Sequence, residues 1–206
     1  MRGDAATLLQ GERTALNFCQ RLSGTATLTR RYVDAVAGTR AGIFDTRKTT
    51  PGMRILQKHA VACGGGRNHR MGLYDQVLIK ENHIALMPGP GSGPAEAVKR
   101  SRSSCGDTAV IEVEIEDLRD LEPVMAAGAD IVLLDNMPPA MLIEAVARRD
   151  RAQASTPRRV ELEASGGITL DTVRAVAQTG VERISTGELT HSVRALDLSM
   201  RLAPER

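Results

Sequence analysis

Aromatic residues are scarce in this 206-residue chain, which has no Trp, 2 Tyr and 2 Phe. Its core must therefore be packed from Ala, Val, Leu, Ile and Met. The formal net charge of +2 at pH 7 is small, and the basic residues are not interleaved with aromatic ones as they are in many surfaces that bind nucleic acid. The composition argues against a nucleic-acid partner.

Paired cysteines and long apolar runs are also missing. Cys19, Cys63 and Cys105 are widely spaced and form no C-x-x-C pair, which argues against a disulfide framework or a zinc site and fits a reducing compartment. The first residues lead into no apolar segment, and no apolar run approaches the length of a membrane span. We therefore predict a soluble, cytoplasmic protein with no membrane partner.

What the chain does contain is a regular alternation of short apolar runs with stretches of helical periodicity. A first helix is predicted over residues 7–37, with an interruption at 23–25. The six predicted strands cover residues 41–45, 77–79, 109–115, 131–134, 159–164 and 183–185, and the later helices cover 53–63, 94–102, 117–127, 139–148, 169–178 and 192–202. Residues 149–158 are charged and are predicted to form a surface loop.

Six strand–helix units, about 25 residues apart, predict a parallel sheet with helical crossovers. No G-x-G-x-x-G follows the first strand, and polar residues end all six strands, so we favour a barrel over an open sheet. The predicted fold class is α/β: an incomplete TIM-like βα barrel of parallel strands, residues 41–206, preceded by a helical segment, residues 1–40.

Every predicted strand ends in polar residues or glycine. These ends are residues 45–48, Lys80, Glu114, Asp135, 165–167 and 185–187. Because the carboxyl ends of barrel strands meet at one mouth, we expect these side chains to form a single site.

Between Asp45 and Ile84, five basic side chains lie beside turn signals or at the ends of apolar runs: Arg47, Lys48, His69, Arg70 and Lys80. Clustering such charges is costly unless an anion lies between them, so the segment predicts a site for a strongly anionic small molecule. Plainer interpretations stay open for single residues: His69 could be a turn residue bonded to the backbone, and Lys80 could pair with Glu81.

Strand alternation places two pairs of carboxylates, Glu112 with Glu114 and Glu161 with Glu163, on the inner face of the barrel. Carboxylates in such a position must be paired, and the cations at the mouth are the predicted partners. A purely structural network of salt bridges is the alternative.

Two glycine turns end the last strands, Ser165-Gly166-Gly167 and Ser185-Thr186-Gly187. Glycine lets backbone N–H groups approach an anion closely, and barrels of this kind often hold a phosphate at these loops. The helix predicted to begin at Thr169 would direct its positive end at the first turn. Either turn alone could be only a turn, but the two together predict a phosphate site.

With these motifs, the chain resembles the quinolinate phosphoribosyltransferases, also called nicotinate-nucleotide pyrophosphorylases (carboxylating), over nearly all of its length. The shared motifs are Glu12 to Asn17, Leu22 to Gly24, Asp45 to Gly52, Gly64 to Gly66, Asn68 to Arg70, Leu78 to His83, Glu112 to Glu114, Leu133 to Met137, Ser165 to Ile168 and Leu189 to Ser192. The resemblance implies a pentosyltransferase of NAD biosynthesis. Such an enzyme converts quinolinate and phosphoribosyl pyrophosphate to nicotinate mononucleotide, carbon dioxide and pyrophosphate, with Mg²⁺ as cofactor.

The resemblance also implies roles for individual residues. The implied quinolinate pocket consists of Arg47, His69, Arg70 and Lys80, with Arg13 reaching in from the partner subunit of a homodimer. Phosphoribosyl pyrophosphate is implied to lie against Lys48, Glu114 and Asp135, the two carboxylates also binding Mg²⁺. The implied catalytic residues are Lys48, Lys80, Glu114 and Asp135. The 5′-phosphate of phosphoribosyl pyrophosphate is implied to lie at Ser165, Gly166 and Gly187, with His191 as a neighbour.

The chain departs from the family pattern in three places. The family has an N-terminal α/β sandwich domain that covers the active site of the dimer partner, and this chain begins just before Glu12-Arg13, so we expect it to lack that domain. Arg67 stands where an apolar or aromatic residue is usual. Glu188 stands in a run that is commonly small and apolar, close to the proposed phosphate turn.

Two alternatives to an active enzyme stay open. One is a related phosphoribosyltransferase-like protein associated with molybdate transport, although the intact pairs Arg47-Lys48 and His69-Arg70 favour quinolinate. The other is a truncated, non-catalytic subunit that binds a full-length one.

Overall fold

The computed structural model describes residues 2–89, 93–154 and 159–203. Its strands are β1 (Gly42–Phe44), β2 (Val77–Ile79), β3 (Ile111–Ile115), β4 (Ile131–Asp135), β5 (Glu161–Ser165) and β6 (Arg183–Ser185). Its helices are α1 (Ala5–Ala35), α2 (Arg54–Cys63), α3 (Glu81–Ala85), α4 (Pro94–Cys105), α5 (Leu121–Ala126), α6 (Pro139–Gln153), α7 (Val173–Gln178) and α8 (Glu188–His191). None of the helices in these ranges is long and apolar enough to cross a membrane.

The six strands form one parallel sheet in the order β1-β6-β5-β4-β3-β2. In the described residues β1 and β2 are edges that do not pair with each other, so the sheet is not closed. Arg67 lies alongside β1 in this gap: its N–H donates to the Ile43 carbonyl at 2.7 Å, and its carbonyl accepts from the Asp45 N–H at 3.1 Å. The predicted incomplete barrel is confirmed.

Strand β3 shows how the two faces of the sheet are divided. Ile111, Val113 and Ile115 are buried and belong to the hydrophobic core beneath the helices. Glu112 and Glu114 alternate with them and are also buried, on the inner face. A strand with both faces covered suits the interior of a βα barrel, where apolar residues face the helices.

Helix α1 is continuous, so the predicted interruption at residues 23–25 is wrong. Gly24 and Thr25 lie inside it and are buried. A Cβ on Gly24 would stand 3.0 Å from a Val193 side-chain carbon and 3.2 Å from the Arg194 carbonyl carbon. The glycine therefore permits close packing of the C-terminal segment on α1 rather than ending the helix.

The glycines at the end of α2 have a similar packing role. A Cβ added to Gly64 would stand 2.6 Å from the Cβ of Thr29, and a Cβ added to Gly66 would stand 2.7 Å from the Cγ2 of Thr29. These glycines let α1 cross closely over the end of α2. They do not line the cavity described below.

Three predicted helices differ from the structure. Residues 117–127 form a 3₁₀ turn, Leu118–Asp120, followed by α5. The helix predicted from Thr169 begins at Val173. Residues 192–202 are not helical; the short α8 lies just before them, and Leu196 N–H donates to the Gln20 carbonyl of α1 instead.

The surface loop predicted at residues 149–158 is wrong where the structure describes it, since α6 continues to Gln153. Residues 155–158 lie outside the described part. Arg149 is 2% exposed and its guanidinium makes two hydrogen bonds of 2.9 Å to the carboxylate of Glu182. The sequence predicted that the charge of Arg149 would face solvent, but in the structure it is buried and paired with Glu182.

Candidate active site

The carboxyl ends of the strands surround a cavity of about 860 Å³. It is lined by all the residues to which the resemblance gives a role except Arg13, namely Arg47, Lys48, His69, Arg70, Lys80, Glu114, Asp135, Ser165, Gly166, Gly187 and His191. Of the strand-end residues expected at the mouth, Asp45 does not line the cavity, because it is buried against Lys58. The lining residues come from the ends of all six strands, from the segments that follow them and, for His69 and Arg70, from the segment before β2, so the fold brings them into one site. Their individual roles stay predictions.

One wall of the cavity carries Arg47, Lys48 and Arg70, and within the described residues no carboxylate forms an ion pair with any of them. The Nε atoms of Arg47 and Arg70 are buried without a hydrogen-bond partner. Burial lowers the pKa of Arg70, and the adjacent Arg47 charge lowers it further. An anion bound between these groups would supply the missing partner.

A second group of lining residues consists of carboxylates around Lys80. The Lys80 ammonium pairs with Glu114 rather than with Glu81. Burial raises the pKa of Glu114 although the hydrogen bond from Lys80 opposes this shift, and the nearby charge of Asp135 adds to it. Two carboxylates that repel each other beside an open cavity are suited to a bound cation.

His69 lies at the base of the cavity between two buried carboxylates. Its Nε2 is 3.0 Å from Glu112 and 3.4 Å from Glu163, and the Arg70 backbone N–H donates to its Nδ1 at 2.8 Å. Of the basic residues expected to pair these carboxylates, His69 pairs with Glu112 and Glu163, and Lys80 pairs with Glu114. Glu163 also accepts from Arg183 Nε at 2.6 Å.

The same three groups, His69, Glu112 and Glu163, are close enough together to hold a metal ion. The hydrogen bonds of His69 disfavour this. A histidine binds metal only as a neutral ring, whereas here burial lowers the pKa of His69 but the hydrogen bonds to Glu112 and Glu163 raise it to about 9 and keep its proton on the ring. The cluster is better described as a hydrogen-bonded support for the cavity floor.

Sequence reasoning missed the group of buried side chains that places His69 and Arg70. Lys58 of α2 pairs with Asp45, and its ammonium also donates to the His69 carbonyl at 2.8 Å. Asp45 accepts from the His69 N–H at 2.9 Å and from Asn68 Nδ2 at 2.6 Å. Asp45 and Lys58 are at most 1% exposed. We call Asp45, Lys58 and Asn68 the loop clamp, because they fix the segment that fills the gap in the sheet.

The glycine turns line the remaining side of the cavity. Gly166 has φ 93° and Gly167 has φ 61°, a conformation that favours glycine. A Cβ on Gly166 would stand 2.9 Å from the backbone nitrogen of Asn136. Gly187 is enclosed by His191 and Lys48: its Cβ would stand 2.7 Å from the histidine ring and 3.1 Å from the lysine Cδ.

Several further residues line the cavity that the sequence analysis did not assign to it. They are Leu78, Glu81, Glu116, Leu133, Asn136, Glu163, Ile168, Thr169, Glu188 and Ser192. Most lie at or just after a strand end, so strand-end position was the signal that could have found them. Arg13 is exposed on α1 and does not line the cavity of its own chain.

The fold and the site define a protein of the parallel βα-barrel class, with carboxylates and glycine turns at its mouth and with cations that have no carboxylate partner among the described residues. A family model for the C-terminal domain of quinolinate phosphoribosyl transferase matches residues 25–201. The chain therefore belongs to the quinolinate phosphoribosyl transferase family, as its C-terminal domain.

Individual relatives agree with this assignment. The chain is 50% identical over 200 residues to the probable nicotinate-nucleotide pyrophosphorylase (carboxylating) of Bacillus subtilis, with 97% of this chain and 65% of that protein covered. It is 46% identical over 198 residues to the Mycobacterium leprae nicotinate-nucleotide pyrophosphorylase (carboxylating), with 96% and 66% covered.

Solved structures resemble it closely. The nicotinate-nucleotide pyrophosphorylase from Francisella tularensis superimposes with a TM-score of 0.86 at 44% sequence identity, with 96% of this chain and 66% of that chain covered. The chain thus spans about two thirds of the length of these relatives.

Proposed function

We propose that this chain is the catalytic barrel of a quinolinate phosphoribosyltransferase. It would convert quinolinate and phosphoribosyl pyrophosphate to nicotinate mononucleotide, carbon dioxide and pyrophosphate. The observation that carries the proposal is the cavity wall of Arg47, Lys48 and Arg70, which lacks carboxylate partners among the described residues. A dicarboxylate and a polyphosphate are the kind of ligands that such a wall would bind.

In the proposed site the quinolinate carboxylates lie against Arg47, Arg70 and Lys80. Both ring nitrogens of His69 are bonded within the protein, so His69 would contact quinolinate directly only by exchanging one of these bonds. The glycine turns with Ser165, Gly187 and His191 are the proposed site of the 5′-phosphate, because they offer close backbone approach beside Lys48.

Mg²⁺ is the proposed cofactor, with Glu114 and Asp135 as its ligands. Their carboxylates line the cavity, and the charge of Asp135 contributes to the raised pKa of Glu114. Carboxylate oxygens are the protein ligands that Mg²⁺ prefers, so the residues fit the ion. When bound, it would neutralise charge on the pyrophosphate group.

The proposed reaction needs no protein nucleophile. The pyridine nitrogen of quinolinate attacks C1 of the ribose as the bond to pyrophosphate breaks, through a state that resembles an oxocarbenium ion. Glu114 and Asp135 would stabilise the positive charge of that state, and Lys48 would stabilise the negative charge on the leaving group. Holding both substrates in line within the cavity would supply much of the rate. Carbon dioxide then leaves from the ring carbon next to the nitrogen, because the quaternary nitrogen stabilises the electron pair left on that carbon, which takes up a proton from water.

The test is a turnover assay on the purified 206-residue chain with quinolinate, phosphoribosyl pyrophosphate and Mg²⁺. We expect nicotinate mononucleotide from the wild type and a loss of about 100-fold or more in Lys80→Ala, since that change removes a cation from the site. Arg119→Ala is the matched control, because Arg119 is an exposed cation paired with Asp117 outside the cavity. Absence of product from a folded wild-type chain would contradict the proposal and favour a non-catalytic subunit.

We further propose that the chain acts as a homodimer in which Arg13 completes the site of the partner subunit. Arg13 is exposed and lies outside the cavity of its own chain, which is compatible with this role.

A further inference from the structure

Glu188 is an acidic side chain that lines the cavity beside the glycine turn after β6. Among the described lining residues that follow β5 and β6, it is the only acidic one. It comes directly after Gly187, which is enclosed by Lys48 and His191. A free carboxylate at this position would oppose a bound phosphate and would compete with it for Lys48.

In the structure the Glu188 carboxylate is instead bonded to a residue of helix α1. The hydroxyl of Tyr32, on α1, donates a hydrogen bond to the Glu188 carboxylate. Tyr32 is 0% exposed. Lys48, although it lies beside Gly187, forms no ion pair within the described residues.

The Tyr32 hydroxyl is well suited to hold a carboxylate. Burial raises its pKa, as does the hydrogen bond to Glu188, so the hydroxyl keeps its proton and remains a donor. A second acceptor, the Ile168 carbonyl, lies farther away at 3.5 Å. With one proton to donate, the hydroxyl favours the charged acceptor.

We propose that Tyr32 is a positioning residue that holds the Glu188 carboxylate towards helix α1 and away from Lys48, so that the glycine turns can accept a phosphate group. This inference rests on the proposed function, since it concerns the phosphate end of that site. It makes Tyr32 and Glu188 a coupled pair that sets the affinity for the phosphorylated substrate.

The experiment is a double-mutant cycle with Tyr32→Phe, Glu188→Gln and the double variant, measured by calorimetric titration of phosphoribosyl pyrophosphate with Mg²⁺ into the 206-residue chain. Tyr32→Phe frees the carboxylate and should weaken binding about three- to tenfold. Glu188→Gln removes the negative charge and should bind as tightly as the wild type or more tightly. The double variant should bind like Glu188→Gln, because no carboxylate remains to be held.

Two further measurements separate positioning from packing. Quinolinate affinity and melting temperature report general damage to the barrel, and Tyr32→Phe should leave quinolinate affinity unchanged. Tyr74→Phe and Glu144→Gln are the matched controls: Tyr74 is 83% exposed, the Glu144 side chain is 59% exposed, and neither lines the cavity. Both should match the wild type.

Specific outcomes overturn the inference. A loss of affinity in Tyr32→Phe that persists in the double variant would show a packing effect, and weaker binding in Glu188→Gln would show that the carboxylate assists the ligand. Wild-type affinity in Tyr32→Phe would also overturn it. If the wild type itself failed to bind phosphoribosyl pyrophosphate, the proposed function would fall and this inference with it.

Discussion

At the scale of single residues, backbone geometry shapes the cavity wall where β4 and β5 end. Asn136 has φ 54°, a left-handed conformation that is uncommon outside glycine. Its N–H donates to the Ser165 carbonyl at 2.9 Å, which brings it against Gly166. The two residues are therefore coupled. Asn136 takes the left-handed conformation, and Gly166, which has no side chain, leaves room for it.

Gly166→Ala should cost about 2–4 kcal/mol in the free energy of unfolding, because it adds both left-handed strain and a collision with Asn136. Gly106→Ala is the matched control, since Gly106 has φ 76° with no atom within 4 Å of an added Cβ, and it should cost about 1 kcal/mol. Denaturant titration measures both. Equal costs would mean that the contact with Asn136 contributes nothing.

His69 is a residue whose protonation is tied to a backbone hydrogen bond. Burial disfavours its charge, but the hydrogen bonds to Glu112 and Glu163 outweigh burial and raise its pKa from 6.5 to about 9. Protonating Nδ1 removes the acceptor of the Arg70 N–H. Charging the ring and releasing that N–H are therefore one event.

In a pH titration by NMR, we expect the His69 ring and the Arg70 amide to shift together with an apparent pKa of about 9. Because the folded pKa is raised, the stability that His69 contributes is complete below about pH 6.5 and is lost as the pH rises through about 9. His69→Gln should lack this loss in urea unfolding. An Arg70 amide whose chemical shift does not change as the His69 ring titrates would disprove the coupling.

At the scale of elements, the loop clamp joins β1, α2 and the segment before β2. Asp45 directly follows β1, Lys58 lies on α2, and both form hydrogen bonds with the backbone of His69. The clamp thus fixes two proposed substrate-binding residues from behind, without lining the cavity itself.

Lys58→Met should destabilise the chain by about 3–5 kcal/mol, because it leaves the buried Asp45 carboxylate without its cation. Arg100→Met removes a pair that is 45% and 39% exposed, with Glu96, and should cost less than about 1 kcal/mol. Chemical denaturation followed by circular dichroism compares the two. A cost for Lys58→Met no larger than that for Arg100→Met would show that the clamp is not a stability element.

At the scale of the whole molecule, the proposed homodimer predicts that the exposed Arg13 of one subunit completes the site of the other. Mixing Arg13→Ala with Lys80→Ala tests whether Arg13 acts across the interface. If it does, each mixed dimer contains one complete site, so random pairing of these inactive variants should restore about a quarter of wild-type turnover. If Arg13 acts within its own chain, every site stays defective and no activity returns. Arg119→Ala mixed with Lys80→Ala serves as the control.

The sequence by itself was enough for the order of the six strands and for most of the residues at the mouth of the barrel. Short apolar runs ending in polar residues show both features locally, because strand length and strand-end chemistry are properties of consecutive residues. The residues at the ends of all six strands therefore pointed to one cavity before any contact was known.

Only the tertiary structure decided which charges are paired and which glycines pack. Gly24 continues a helix because Val193 and Arg194 lie against it, and Arg149 is buried because Glu182 lies beside it. Such partners are distant in the chain, and local propensity carries no information about them. The same reason explains why the pairing of Lys80 with Glu114, and of Asp45 with Lys58, became apparent only in the folded chain.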